Sequence, residues 1–190
     1  MPNYNANMKI NIGHENPIDY QASLKQLKDC ETVVFVGGIS PQLEGEEMPI
    51  EISGFKGGDR TNIELPKVQR NFLKALKEAG KKVVFVNCSG LAIALTPETE
   101  SCDAILQAWY PGQEGGLAIA RMLAGEFSPS GRLPITMEAS LEDNPTYTNY
   151  YVESPLTKRG HSTLNVTYAE GVFVGYRGYE RNNVKPAYPF

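Results

Sequence analysis

Val33-Val34-Phe35-Val36-Gly37-Gly38 is a β-branched and aromatic run stopped by two glycines, the pattern of a strand buried on both faces of a sheet. Val83 to Val86 gives a second such run, and Ala104-Ile105-Leu106-Gln107-Ala108-Trp109 a third. Helical spacing fills the intervals. From Pro17 to Lys28, the residues Ile18, Ala22, Leu24 and Leu27 mark a short amphipathic helix, with Asp19 near its start, where negative charge suits the helix dipole. Pro66 stands early in a second helix whose apolar face is Val68, Phe72, Leu73, Leu76 and Ala79, and Gly80 ends it. After Trp109, the turn Tyr110-Pro111-Gly112-Gln113-Glu114-Gly115-Gly116 leads into a third helix with Leu117, Ala118, Met122 and Leu123 on its face. Strands alternating with helices of this length predict an α/β fold, a three-layer α/β/α sandwich on a mostly parallel sheet with right-handed crossovers. The tail from Ser128 is rich in Pro, Tyr and Asn, with short strands expected at Leu133 to Thr136 and near Gly171 to Tyr176.

A chain of 190 residues suffices for one core that buries roughly 70 % of its unfolded surface. A formal charge of −4, with eighteen scattered Lys and Arg, offers no basic field for a polyanion, so nucleic acid is not an expected partner. The apolar runs fall far short of the roughly 20 residues that cross a bilayer, so no membrane partner is expected either. Residues 1–17 hold one Lys, several Asn and no apolar core, unlike a signal peptide. Cys30, Cys88 and Cys102 have neither disulfide-framework nor zinc-site spacing and read as small buried hydrophobes. His14 and His161 lie among polar, loop-like residues, which argues against a catalytic histidine network. No metal or organic cofactor is expected.

In open parallel sheets, the loops leaving the carboxyl ends of the strands line the ligand crevice. Three loops here have unusual content: the stretch Ile39 to Glu64, the segment Cys88-Ser89-Gly90-Leu91-Ala92-Ile93, and the turn that begins at Tyr110. The first carries Glu44, Glu46, Glu47 and Glu51 and ends in Gly57-Gly58-Asp59-Arg60. A carboxyl group in such a loop can act as a general acid when its surroundings hold its proton. The plainer alternative is four solvated glutamates, with Asp59 and Arg60 as a structural ion pair. The Tyr110 turn is equally a tight lead into a helix or a backbone nest for an anion or hydroxyl. Trp109 and Tyr110 suit either a sugar face or the core. After Val36 the chain reads G-G-I-S-P-Q without a G-x-G-x-x-G, and neither a phosphate-binding G-x-x-x-x-G-K-[ST] nor a G-x-S-x-G elbow occurs.

Five segments in this order, VVFVGGISPQLEGE, GGDRTNIELPKVQ, QAWYPGQEGG, LAGEFSPSGRLPIT and YAEGVFVGYRGYERNNVKPAYPF, together resemble the C-terminal α/β sandwich domain of family 3 glycoside hydrolases. The resemblance runs from about Cys30 to Phe190. It implies one domain over 31–190, with 1–30 as its lead-in segment and first helix. In that family a (β/α)8 barrel carries the nucleophilic Asp and the sandwich carries the acid/base Glu. A barrel needs about 250 residues, which this chain has no room for.

Retaining hydrolysis requires two carboxyl groups about 5 Å apart, so the resemblance implies that one of the pair lies outside this chain and that the chain alone is inactive. By the family's short I/L-E-x-E segment, Leu43-Glu44-Gly45-Glu46 makes Glu44 the acid/base candidate, with Glu46 and Glu47 as rivals. The insertion MPIEISGFKG before Gly58-Asp59-Arg60 departs from the pattern and lengthens the loop. Trp109 and Tyr110 are the expected substrate-binding residues, and Asp59, Arg60 and Arg132 are scaffold. The expected partners are the missing barrel and an oligosaccharide or other β-glycoside, of the β-xylosidase or β-glucosidase kind with a lean to xylose, in a parent that acts in the periplasm or outside the cell. An apolar patch near Trp109 and Tyr110, bared without the barrel, is expected to drive formation of a homo-oligomer. The alternative reading is a non-catalytic carbohydrate-binding or partner-docking domain.

Overall fold

The computed structural model describes residues 20–44, 51–56, 59–149 and 168–190. In chain order these form α1 (Tyr20–Gln26), β1 (Thr32–Ile39), α2 (Pro41–Glu44), β2 (Glu51–Ile52), β3 (Phe55–Lys56), β4 (Asp59–Arg60), α3 (Lys67–Glu78), β5 (Lys82–Ser89), α4 (Thr96–Ser101), β6 (Ala104–Gln107), α5 (Gly115–Leu123), a 3₁₀ turn (Leu141–Asp143) and α6 (Tyr176–Arg181). No helix among the described residues is long and apolar enough to cross a membrane.

The three predicted strands form a parallel sheet in the order β1-β5-β6, with Val33 opposite Val83, Phe35 opposite Phe85, and Phe85 opposite Ile105. Because side chains alternate along a strand, these residues share one face. That face packs on Phe72, Leu73 and Leu76 of α3, all buried. Tyr20 of α1 stacks on Phe72 with ring centroids 5.4 Å apart. A left-handed Gly80 ends α3: its N–H bonds the Lys77 carbonyl, and the Lys81 N–H reaches back to Leu76, a Schellman closure. Arg70 fastens α4 to α3 through a 2.7 Å bond to the buried Glu98 carboxylate.

Helix α5 lies on the opposite face, where Ala118, Ile119 and Met122 share with Leu106 an apolar cavity of about 240 Å³. Helices therefore cover both sides of a parallel sheet, as the three-layer expectation requires.

Several expectations need correction. β1 is buried on one face only, with Val34 47 % and Val36 64 % exposed on the other, because α5 stands over β6 and nothing described covers β1 there. For the same reason no residue of α5 is buried, and Leu117 and Leu123 face solvent. The third strand stops at Gln107, since Trp109 adopts a left-handed φ of 56°. Among the described residues of the tail, Leu133 to Thr136 forms no strand, and the one backbone pairing is an isolated bridge between Met137 and Tyr188. Gly171 to Tyr176 is turn leading into α6 rather than strand: Gly171 and Gly175 both take φ of 56° and break the extended run. Cys102 is buried and Cys88 half-buried, but Cys30 is exposed. Finally, the predicted loop from Ile39 contains α2 and a small antiparallel sheet, β2-β3-β4. Within the insertion, residues 51–56 fold as a hairpin, turned at Gly54 with φ of 91° and pinned by the buried Phe55.

Candidate functional site

The strand ends decide where the loops go. Gly38 takes φ of 127°, and a Cβ there would lie 2.0 Å from the Cys88 carbonyl oxygen, so only glycine fits. Past it, Ile39 is fully buried. Ser40 then nucleates α2: its carbonyl accepts the N–H groups of Leu43 and Glu44, both at 2.9 Å, and its Oγ accepts the Leu43 N–H at 3.2 Å. Leu43 enters the core, which fixes the half-buried Glu44 beside it. One Glu44 oxygen, Oε1, is buried and has no hydrogen-bond partner.

Arg60 arrives from β4. Its Nη1 donates to the Ala92 carbonyl at 3.2 Å and its Nη2 to the Glu64 carbonyl at 3.4 Å, which ties the first loop to the one after β5, while its buried Nε has no partner. Burial draws the guanidinium pKa below its ordinary value, and the charges of Glu44 and Tyr110 oppose that shift. From the third loop, the Tyr110 hydroxyl donates to the Ile39 carbonyl at 2.8 Å, and its ring lies so close over Gly90 that a Cβ there would meet it at 2.5 Å. Burial raises the Tyr110 pKa, Glu44 adds to this by charge and hydrogen bonding, and the Gly90 backbone and Arg60 oppose it.

The three loops singled out in the sequence therefore meet around one carboxyl group. Glu44 lies within electrostatic reach of Arg60 and Tyr110, at the carboxyl end of the sheet, where a parallel sheet offers its crevice. Trp109 is half-buried beside Tyr110. Glu46, Glu47, His14 and His161 lie outside the described residues, and no group of three or more His, Cys, Asp or Glu among the described residues is arranged to hold a metal ion.

The model of the glycosyl hydrolase family 3 C-terminal domain matches residues 7–176. The chain belongs to this family. It is 62 % identical over 147 residues to a xylan 1,4-beta-xylosidase from Xylanibacter ruminicola, covering 77 % of this chain and 17 % of that protein. It is 41 % identical over 140 residues to beta-glucosidase B from Emericella nidulans, covering 71 % and 16 %. Among solved structures, the beta-glucosidase of Kluyveromyces marxianus in complex with glucose superposes with a TM-score of 0.68 at 32 % identity, over 92 % of this chain and 19 % of that one. The family 3 beta-glucosidase of Bifidobacterium adolescentis gives 0.74 at 29 % identity, over 93 % and 24 %. The chain thus spans a quarter or less of each of these proteins and is a C-terminal domain of this family of glycoside hydrolases.

The sequence reading missed Gln69. It stands three, four and seven residues before Phe72, Leu73 and Leu76, on the buried stripe of α3, so its position was legible as a polar residue on an apolar face. It also missed Asn87, a fully buried amide inside the apolar run of β5.

Proposed function

We propose that this domain contributes the acid/base carboxyl group, Glu44, to a retaining exo-acting β-glycosidase whose nucleophile lies on a barrel domain outside the chain. The observation that carries the reading is the placement of Glu44: it stands half-buried on α2 at the carboxyl end of the parallel sheet, beside the core residue Leu43, where the loops of Arg60 and Tyr110 are tied to Ala92 and Ile39. An acid/base residue must give its proton to the leaving oxygen and later take one from water, and the half-buried Glu44 keeps part of its side chain at the surface for that exchange. Arg60, bonded to the Ala92 and Glu64 carbonyls, and the Tyr110–Ile39 bond hold the loops around Glu44 in place between turnovers, which is the positional precision that proton transfer demands. The half-exposed ring of Tyr110, with Trp109 next to it, offers an apolar surface for the sugar. The parent acts on a β-xyloside in preference to a β-glucoside, a reading supported by the 62 % identity to a xylan 1,4-beta-xylosidase. Since the second carboxyl group is outside the chain, the isolated domain is inactive.

The test is turnover of aryl β-xyloside and β-glucoside by the 190-residue chain and by the full-length enzyme, with alanine at Glu44, Glu46 and Glu47 in turn. The reading expects no turnover by the chain alone and a loss of about 10²–10⁴-fold in the full-length enzyme for Glu44→Ala, the usual worth of a general acid/base. A comparable loss confined to Glu46→Ala or Glu47→Ala transfers the role to that residue. Robust turnover by the isolated chain rules out a divided site.

A further inference from the structure

We propose that Gln69 is a positioning residue for the acid/base loop, its carboxamide gripping the Gly38 backbone and so setting the direction in which the chain leaves β1 toward Glu44. This rests on the role of Glu44 proposed above. Gln69 lies on the core face of α3 and is only 7 % exposed, a costly place for an amide unless both of its ends are bonded. Both are, and to the same residue: Oε1 accepts the Gly38 N–H at 2.8 Å and Nε2 donates to the Gly38 carbonyl at 2.7 Å. The amide thus pairs with Gly38 as a neighbouring strand would.

The grip needs both partners as they are. Gly38 holds φ of 127°, where a side chain would also strike the Cys88 carbonyl oxygen at 2.0 Å, and Gly37 must lack a side chain because a Cβ there would come within 2.5 Å of Gln69 Oε1. On the far side of Gly38 lies Asn87, whose Nδ2 bonds Gln107 at 2.7 Å and Ser89 at 3.2 Å. A band of amides, the buried Gln69 and Asn87 and the half-buried Gln107, therefore crosses the strand ends under the site. Between Gly38 and Glu44 the chain has little freedom: Ile39 is buried and its carbonyl is held by Tyr110, Ser40 caps α2, and Leu43 is in the core. A displacement at Gly38 is thus passed to the Glu44 carboxyl. Leucine at 69 leaves the Gly38 N–H and carbonyl unpaired, and ionised glutamate sets a carboxylate against that carbonyl.

The experiment uses the full-length enzyme with Gln69→Leu, Gln69→Glu and, as reference, Glu44→Ala. kcat/KM is measured for a dinitrophenyl glycoside, whose leaving group needs no proton, and for a disaccharide, whose leaving group does. Gln69→Leu is expected to lower the disaccharide value about 10–100-fold, as for a displacement near 1 Å, and to leave the dinitrophenyl value within about threefold, because no general acid is needed there. Gln69→Glu should recover the wild-type ratio as the pH falls, because a neutral carboxylic acid offers the same acceptor and donor as the amide. That arm also serves if Gln69→Leu fails to fold, which a thermal melt will show. If Glu44→Ala shows the selective loss while the Gln69 variants depress both substrates equally or neither, Gln69 is only structural and the inference is wrong. If Glu44→Ala itself shows no selective loss, the assignment of Glu44 fails and this inference falls with it.

Discussion

Gly38→Ala concentrates the account of the fold into one methyl group. The added Cβ would sit 2.0 Å from the Cys88 carbonyl oxygen, 2.6 Å from its carbon and 2.9 Å from Asn87 Oδ1. Cys88 is the direct partner of Gly38 in the sheet, and its backbone cannot swing aside as a flexible side chain would. Holding alanine at a left-handed φ costs about 1–2 kcal/mol. Moving the backbone out of contact gives up the two bonds to Gln69, at about 0.5–1.5 kcal/mol each. The sum is about 3 kcal/mol, a large share of the 5–15 kcal/mol typical of a domain. For a chain of this size that corresponds to a fall in Tm of about 6–12 °C. Urea and thermal denaturation of the isolated domain, followed by circular dichroism, read this directly. A loss below about 1 kcal/mol, with an unchanged m-value, would refute the claim that β1 and β5 are locked together at this point.

Burial, aided by the charges of Glu98 and Asp103, pushes the Cys102 thiol up to about 11 from 9.0. The folded state then keeps its proton where the unfolded chain loses it, so this group's contribution to stability is intact below pH 9 and falls away between pH 9 and 11, by about 2–3 kcal/mol. Cys102→Ala should flatten that part of the pH–stability curve, and in thiol labelling at pH 8 the exposed Cys30 should react first and Cys102 last. Arg70→Leu leaves the Glu98 carboxylate, 1 % exposed, without its cation and should cost about 3–5 kcal/mol in denaturation, most of it recovered in the Arg70→Leu/Glu98→Leu double variant. Lysine at both Val34 and Val36 should change the stability of the isolated domain by less than about 1 kcal/mol, because both are exposed. It should also reduce self-association in sedimentation, since the pair belongs to an apolar surface.

How much of this the sequence revealed depended on whether a residue's own neighbours determined its fate. The runs at Val33, Val83 and Ala104 announced strands because parallel strands in a core are continuously apolar. The stripe Phe72, Leu73, Leu76 announced α3 because its spacing is helical. What covers a strand's second face is a property of distant chain, so the exposure of Val34 and Val36 could not be read locally. The run Val172-Phe173-Val174 has strand composition, yet the flanking left-handed glycines decide for a turn and helix. In the site, composition offered four glutamates without ranking them, and Glu44 stood out only through its likeness to a family motif. The ties that build the site join residues far apart in sequence, Tyr110 to Ile39 and Arg60 to Ala92, and no spacing rule foretells them. Gln69 is the exception, since a polar residue in register with an apolar stripe asks to be explained.

The central claim is that Glu44 works as acid/base and not as nucleophile, and the configuration of a trapped product tests it most directly. Full-length enzyme carrying Glu44→Ala is supplied with a dinitrophenyl β-xyloside and sodium azide, and the product is identified by NMR. The account predicts turnover restored by azide and a β-xylosyl azide, because the anion attacks the covalent glycosyl-enzyme from the face that the missing carboxylate vacated. An α-xylosyl azide would show direct displacement in an enzyme that had lost its nucleophile, and wild-type turnover without any azide product would show that Glu44 takes no part in proton transfer; either contradicts the account.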